Sequence, residues 1–269
     1  MAGSEATRTL VSDVVVRRCA GSDELDAAFA MQKEIWGFSD ADMIPLRLFV
    51  VARKIGGQVL GAFDGDRLVG FALGIPGMRN GHSYMHSHML AVKDAYRNSG
   101  VGRRLKLFQR EDALCSGVEL IEWTFDPLEI KNAFLNLEKL GAIARRYNIN
   151  QYGNTSSPLH GGLPTDRLIA EWWLKSRRVT TLLATGKRPE YKIEEKVEVP
   201  ARIYEWKANR ADRDKAAAVQ ERNRNLLMNA FDRGLAALGY ARDEQGNGSF
   251  LLGKWDENWS FGIPPDAES

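Results

Sequence analysis

LAVKDAYRNSGVGRRLKLF, residues Leu90–Phe108, is the stretch on which the fold turns. A strand ends near Val92, and a turn holding Arg97, Gly100 and Gly102 opens directly into an amphipathic helix, predicted over Val101–Ser116. Glycines let backbone N–H groups approach a ligand closely, and a helix N-terminus attracts anions. Arg103, Arg104 and Lys106 fall in the first turns, where each cation opposes the helix dipole by ~0.3–1 kcal/mol. A bound phosphate reverses that penalty. The bland alternative is a strand-to-helix turn with a solvated basic face, and a glycine pair alone does not choose between them. The segment lacks both the Lys-Ser/Thr of a P-loop and the three-glycine dinucleotide fingerprint.

Upstream, Val14–Cys19 reads as a strand, followed by a helix from Ser22 to Trp36 with Leu25, Ala28, Phe29, Gln32 and Ile35 as its stripe. Leu46–Ile55 is a second helix, stopped by Gly56-Gly57. Gln58–Phe63 and Arg67–Gly74 flank an Asp-Gly turn as a hairpin, and Ser83–Val92 follows a second turn at Asn80-Gly81. Downstream come a strand over Glu119–Phe125, a helix over Glu129–Leu140 and a strand over Ala142–Ile149. The pattern predicts an α/β (α+β) domain, residues 1–153, with one mixed central sheet flanked by helices.

The polar loop Gly153–Gly162 marks a domain edge, so 154–269 is expected to be a C-terminal α+β extension packed on that domain. Thr165 or Asp166 is expected to cap a short helix through Leu174, Val197–Trp206 to be a strand, and Asp212–Leu238 to be a long helix. A hairpin over Tyr240–Glu244 and Ser249–Trp255 ends the fold. The Trp172-Trp173 pair reads as packing, and the basic run Lys175–Lys192 reads as a solvated loop before it reads as an RNA or phosphate contact.

Composition narrows the class. The chain has 269 residues, 44% hydrophobic and 27% charged, with a net charge of +2. These are globular values, and near-neutrality argues against a nucleic-acid partner. No run of about 18 apolar residues offers a membrane span. The first fifteen residues, a loose lead-in, lack a signal-peptide core. Two cysteines, Cys19 and Cys115, make neither a disulfide framework nor a zinc site, so a cytoplasmic location is expected.

Three of the four histidines crowd into seven residues, His82, His86 and His88. Period-two alternation gives His86, His88, Leu90 and Val92 one strand face. Two hydrogen-bonded structural histidines are one account, and a metal pair is another, though no third ligand is evident and no metal is expected. The third account is a base that titrates near pH 7 and takes a proton from an arriving ammonium. Glu122, on the next strand, is an additional base candidate.

The spacing Leu90, Val92, Arg97, Gly100, Gly102 resembles, position by position, the acyl-CoA-binding motif of the GNAT superfamily of N-acyltransferases. The resemblance covers about residues 14–150. It implies acetyl-CoA or another acyl-CoA as co-substrate. The CoA diphosphate would sit on the amides of Arg97, Asn98, Ser99, Gly100, Val101 and Gly102, beside Arg103. The pantetheine arm would pair with the strand at Leu90, Ala91 and Val92. HSHMLAV is similar to the histidine strand of arylalkylamine-type members, which implies a proton relay through His86 and His88; His86 also matches the position of a catalytic glutamate in histone-type members. The helix EIKNAFLNLEKLGA resembles the closing motif, with Asn132 as a CoA-arm contact. The tyrosine that commonly protonates the leaving thiolate falls at Leu137; Tyr147 and Tyr152 are substitutes, or the thiolate leaves unaided. GLPTDRLIAEWWL resembles a bacterial subgroup with a C-terminal extension.

The expected activity is acyl transfer, acetyl or succinyl, to the amine of a small molecule or amino acid, by direct attack in a ternary complex. The alternative is a non-catalytic acyl-CoA sensor. The oligomeric state is left open, a homodimer included.

Overall fold

The computed structural model describes residues 13–153 and 161–261. The lead-in at the N-terminus and most of the expected Gly153–Gly162 loop lie outside these residues. The chain forms two compact units, Met1–Ile121 with Phe261–Ser269, and Glu122–Ser260.

The first unit carries an antiparallel sheet in the order β1 (Val15–Arg18), β2 (Gln58–Asp64), β3 (Arg67–Arg79) and β4 (His82–Val92). Helices α1 (Ser22–Trp36) and α2 (Leu46–Lys54) cover one face. Leu25, Ala28, Met31, Phe49 and Ala52 pack there on Val59, Phe71, Leu73, Met89 and Ala91. Helix α3 (Val101–Cys115) covers the other, where Val101 and Leu105 meet Leu60, Ala62, Val69 and Ala72. Alternation along β2 and β3 supplies both cores, since neighbouring residues point to opposite faces. The long hairpin β3–β4 turns at Asn80 and Gly81, both left-handed as a two-residue hairpin turn requires.

The second unit holds strands in the order β5, β7, β6, β9, β10, β8. These are β5 (Leu120–Phe125, where the chain crosses from the first unit), β6 (Ile143–Asn148), β7 (Arg167–Trp173), β8 (Glu195–Val199), β9 (Ala236–Arg242) and β10 (Gly248–Gly253). Its helices are α4 (Ile130–Phe134), α5 (Arg177–Thr185), α6 (Ile203–Ala208) and α7 (Arg213–Asp232). The α+β class and the C-terminal strands and helix agree with the sequence reading.

Several expected elements differ. Where a short helix through Leu174 was expected, Arg167–Trp173 is strand β7, and every residue of it is buried. A strand covered on both faces shows no polar alternation, so its pattern is indistinguishable from a short buried helix. The long helix stops at Asp232, and Leu238 lies on β9 beyond the left-handed Gly234. Residues 203–208 are helical, where a strand was expected, and the basic run contains α5, capped by the Ser176 hydroxyl. The helix expected over Glu129–Leu140 is α4 followed by a π-helical turn, Leu135–Lys139, closed by Leu140 N–H donating to the Leu135 carbonyl.

The tryptophans are packing residues. Trp172 donates through Nε1 to the Leu140 carbonyl at 2.7 Å and meets Trp123 edge-on, and Trp173 packs against Trp255 and Trp259.

The strands flanking the expected 153–154 boundary pair with each other, Asn148 opposite Arg167. Ala144 of β6 also faces Ala237 of β9, and β10 bridges β9 to β8. Deleting residues 200–269 therefore strips β9 and β10 from one sheet, leaves β8 without its partner and opens an edge on β6. The expected result is an insoluble or molten 1–199 product. A soluble 1–199 fragment with wild-type near-ultraviolet dichroism overturns this.

Candidate active site

The site is built on one continuous run of the first unit, strand β4, a turn and helix α3. After β4 the chain makes a 3₁₀ turn, Asp94–Tyr96. Tyr96 anchors it: the ring is buried, and its hydroxyl donates to the Asp64 carboxylate and accepts from Arg67. The sequence reading did not single out Tyr96. Asn98 and Gly100 both adopt left-handed backbone, and Gly100 is the residue from which α3 departs. Asparagine and glycine tolerate that conformation best. Ser99 is tied back through its hydroxyl to the Tyr96 carbonyl.

This geometry presents the open end of α3, whose first N–H groups have no partner within the helix. A Cβ added at Gly100 would meet nothing within 4 Å, so the turn is open to a ligand on that side. At Gly102 a Cβ would lie 3.8 Å from Leu90 Cδ2 and Val92 Cγ2, in ordinary contact. The turn therefore fits a diphosphate by its open backbone. One amide expected in the cradle is taken, since Arg97 N–H donates to the Asp94 carbonyl at 3.1 Å. The Arg97 side chain pairs with Asp94 at 3.0 Å and donates to the Val92 carbonyl at 3.3 Å.

The basic face expected beyond the turn is only partly a face. Arg103 is exposed, but Arg104 donates to the Val14 carbonyl, and Lys106 is 2% exposed beneath the sheet.

His86 and His88 lie together, ring centroids 5.8 Å apart. They do not share the face of Leu90 and Val92. Leu73 pairs with Met89 and the next residue, Gly74, pairs with Ser87, so His88 is an extra residue, a β-bulge. The bulge inverts the alternation beyond it. His86 faces Ile75, which packs with the α1–α2 core, while Leu90 and Val92 pack on the α3 side. Desolvation lowers the His88 pKa below the ordinary imidazole value of 6.5, which favours the neutral ring at pH 7. His82 is apart at the hairpin tip, stacked on Phe261 at 4.6 Å.

Glu122 and Asn132 belong to the second unit. Glu122 is 3% exposed, not the solvent-facing glutamate that a half-buried strand suggests, and its carboxylate is held by Arg146. Arg146 also binds Glu171 at 3.0 Å, and Arg145 binds Glu171 at 2.9 Å. A carboxylate paired in this way is a poor proton acceptor. Asn132 is exposed, whereas Asn136, which a regular helix would put on the same side, is buried; the π turn rotates the later residue inward. Leu137 is fully buried. The Tyr147 hydroxyl donates to Asp166 at 2.7 Å, and desolvation with that carboxylate pushes its pKa up, which makes it a weak acid. Tyr152 is exposed, its hydroxyl 2.9 Å from the Thr124 hydroxyl on β5.

Comparison with known proteins gives one family. Residues 24–137 match the acetyltransferase (GNAT) family model. No curated protein matches the sequence. Among solved structures, the ribosomal-protein-S18-alanine N-acetyltransferase of Escherichia coli is 16% identical, covering 61% of this chain and 95% of its own at a TM-score of 0.47. The yncA protein of Salmonella typhimurium, solved with its cofactor acetyl-CoA, is 14% identical over 61% and 96% at 0.49. FeeM, an N-acyl amino acid synthase from uncultured soil microbes, is 16% identical over 64% and 97% at 0.49. Likeness at this level assigns no substrate to the chain.

Proposed function

We propose that this chain, whose residues 24–137 are a GNAT acetyltransferase domain, moves an acyl group from an acyl-CoA thioester to the amine of a small molecule or amino acid. One observation carries the reading. The open N-terminus of α3, entered through left-handed Gly100, continues directly from the strand that bears the paired His86 and His88. An anion cradle and a neutral base thus stand on one short run of chain.

Acyl-CoA supplies the activated carbonyl. The amides from Asn98 to Gly102, with Arg103 beside them, hold the diphosphate, and Leu90–Val92 line the arm. The acceptor arrives as an ammonium, and a ring nitrogen of His86 or His88 takes its proton before attack. The lowered pKa of His88 keeps that ring free to accept at neutral pH. Neither Cys19, which is buried, nor Cys115, on the exposed end of α3, is needed as a nucleophile. The reaction proceeds by direct attack with both substrates bound.

Thiolate departure needs no dedicated acid in this reading, because a thiol is a good leaving group near neutral pH. Tyr152→Phe is therefore expected to change kcat/KM by less than about tenfold, whereas loss of a true general acid costs ~10²–10⁴-fold. A Tyr152→Phe loss in that larger range would assign the role to Tyr152. The reading as a whole is tested by following CoA release with a thiol reagent across an amine panel and a mixed acyl-CoA pool. Tight acyl-CoA binding with no turnover against any amine would favour a sensor, a reading to which the buried Leu137 lends some support.

A further inference from the structure

We infer that Lys106 is a positioning residue: buried between α3 and β4, its side-chain nitrogen grips Ser87 and pins the β-bulge that aims His86 and His88. The inference rests on the proposed role of those histidines. Lys106 Nζ donates to Ser87 Oγ at 2.7 Å and to Gln109 Oε1 at 3.1 Å. Ser87 lies between the two histidines and alternation turns its side chain to the opposite face; the bulge at His88 makes that the α3 face instead of the face of Met89.

The bond reports the bulge's position. A bulge is an extra residue in one strand, and sliding it by one position exchanges the faces of the residues it passes. If the bulge moved from His88 to residue 87, His88 would come opposite Gly74 and turn to the α3 side, parting from His86; if it moved past Ser87, the hydroxyl would leave the α3 side and lose Lys106. The strand opposite is shaped for the same register. Gly74 faces Ser87, and a Cβ there would lie 2.8 Å from Gln58 Oε1 and 3.0 Å from Met85 Sδ. Gln58 in turn donates from Nε2 to the Gln109 carbonyl at 2.9 Å and to Asp112 at 2.8 Å, and Asp112 is held by Arg18 at 2.6 Å. A polar chain, Ser87, Lys106, Gln109, Gln58, Asp112 and Arg18, thus runs through a layer that is otherwise apolar.

Burial drives the Lys106 pKa well below its usual range, which favours the neutral amine, and a buried amine is a group that packing alone would not select. Neighbouring Leu105 shows what the layer ordinarily takes. Lys106 also lies about one turn beyond Gly102, so the same bond sets the distance between the diphosphate cradle and the histidine strand.

The test uses the full chain with Lys106→Met, Ser87→Ala and the double variant. The Met side chain keeps the length and suits the apolar layer. The measurements are steady-state kinetics, acyl-CoA calorimetry, and NMR titration of the histidine ring C–H signals. Misplacement of a catalytic group by about 1 Å can cost ~10²-fold. Each single variant is expected to lower kcat by roughly 10- to 100-fold, with acyl-CoA affinity changed less than about twofold. The double variant is expected to be no worse than either single, because both break one bond. The His86 and His88 signals should shift and titrate at a new pH in all three, while that of His82, at the hairpin tip, stays put. Unmoved His86 and His88 signals in folded Ser87→Ala overturn the inference, as do losses that multiply in the double variant. Ser87→Ala decides if Lys106→Met fails to fold. Because the NMR measurement needs no turnover, a wild-type protein inactive on every amine would sink the acyltransferase reading without deciding the positioning.

Discussion

The His86→Ala/His88→Ala variant is expected to lose ~10²–10⁴-fold in kcat/KM at pH 7, the usual contribution of a general base. Acyl-CoA affinity should be nearly unchanged, since neither side chain shares the α3-facing side of Leu90 and Val92. The loss has a predicted pH dependence. An ammonium substrate must be deprotonated before attack, so as pH rises toward its pKa the solvent does more of the work and the gap to wild type narrows. On the acid side, wild-type activity should persist below pH 6.5 if His88 is the base, because burial lowers its pKa from that value. The single variants should be unequal, with His86→Ala the larger loss, as its match to two separate base positions implies.

The same pKa shift bears on stability. A neutral His88 in the fold and an ordinary histidine in the unfolded chain mean that the unfolded state binds the proton more readily. Stability from this group is thus full above the unfolded value of 6.5 and is lost as pH falls through the folded pKa. Activity measured at acid pH therefore needs a fold check alongside. Wild-type kcat/KM in the double variant across pH 6–9 would make both histidines structural. Glu122 is then no ready substitute, since Arg146 holds its carboxylate.

What the sequence disclosed depended on whether a residue type or a periodicity carried the signal. The turn was legible because glycine at 100 has a backbone meaning that survives without coordinates. Strand and helix order through Ile149 was legible from amphipathic period, Asp-Gly and Asn-Gly turns, and the helix stop at Gly56. Alternation failed at His88, because a bulge adds one residue without changing composition. His86 and His88 were placed correctly as neighbours and incorrectly as facing with Leu90. Residues 167–173 lost their strand signal by being buried on both faces. The π turn at 135–139 shifted Asn136 inward in a helix whose sequence reads as regular. Lys106 was hidden by its neighbours: among Arg103 and Arg104 it read as one more solvated cation, although the helical stripe that buries Leu105 also reaches Lys106 and Gln109. A lysine on the inward side of an amphipathic helix was the available signal, and three basic residues in four masked it.

Gly102→Glu should separate binding from folding, since its effects on the two have opposite signs. A Cβ at residue 102 makes only ordinary contacts at 3.8 Å with Leu90 and Val92, so the fold accepts a side chain there. The new carboxylate sits in the first turn of α3, where negative charge is favourable to the helix dipole by ~0.3–1 kcal/mol. The melting temperature should therefore hold or rise. Acyl-CoA affinity should nonetheless fall more than tenfold, that is, by more than ~1.4 kcal/mol, because the same carboxylate competes for the amides and repels the diphosphate. Gly102→Gln separates bulk from charge. It should bind better than Gly102→Glu, and the difference should shrink in high salt, which screens charges beyond ~10 Å at 0.1 M and ~3 Å at 1 M. Unchanged acyl-CoA affinity in folded Gly102→Glu, measured by calorimetry, would remove the phosphate cradle from this turn. The acyl donor would then have to be sought along β4, on the histidine side of the bulge.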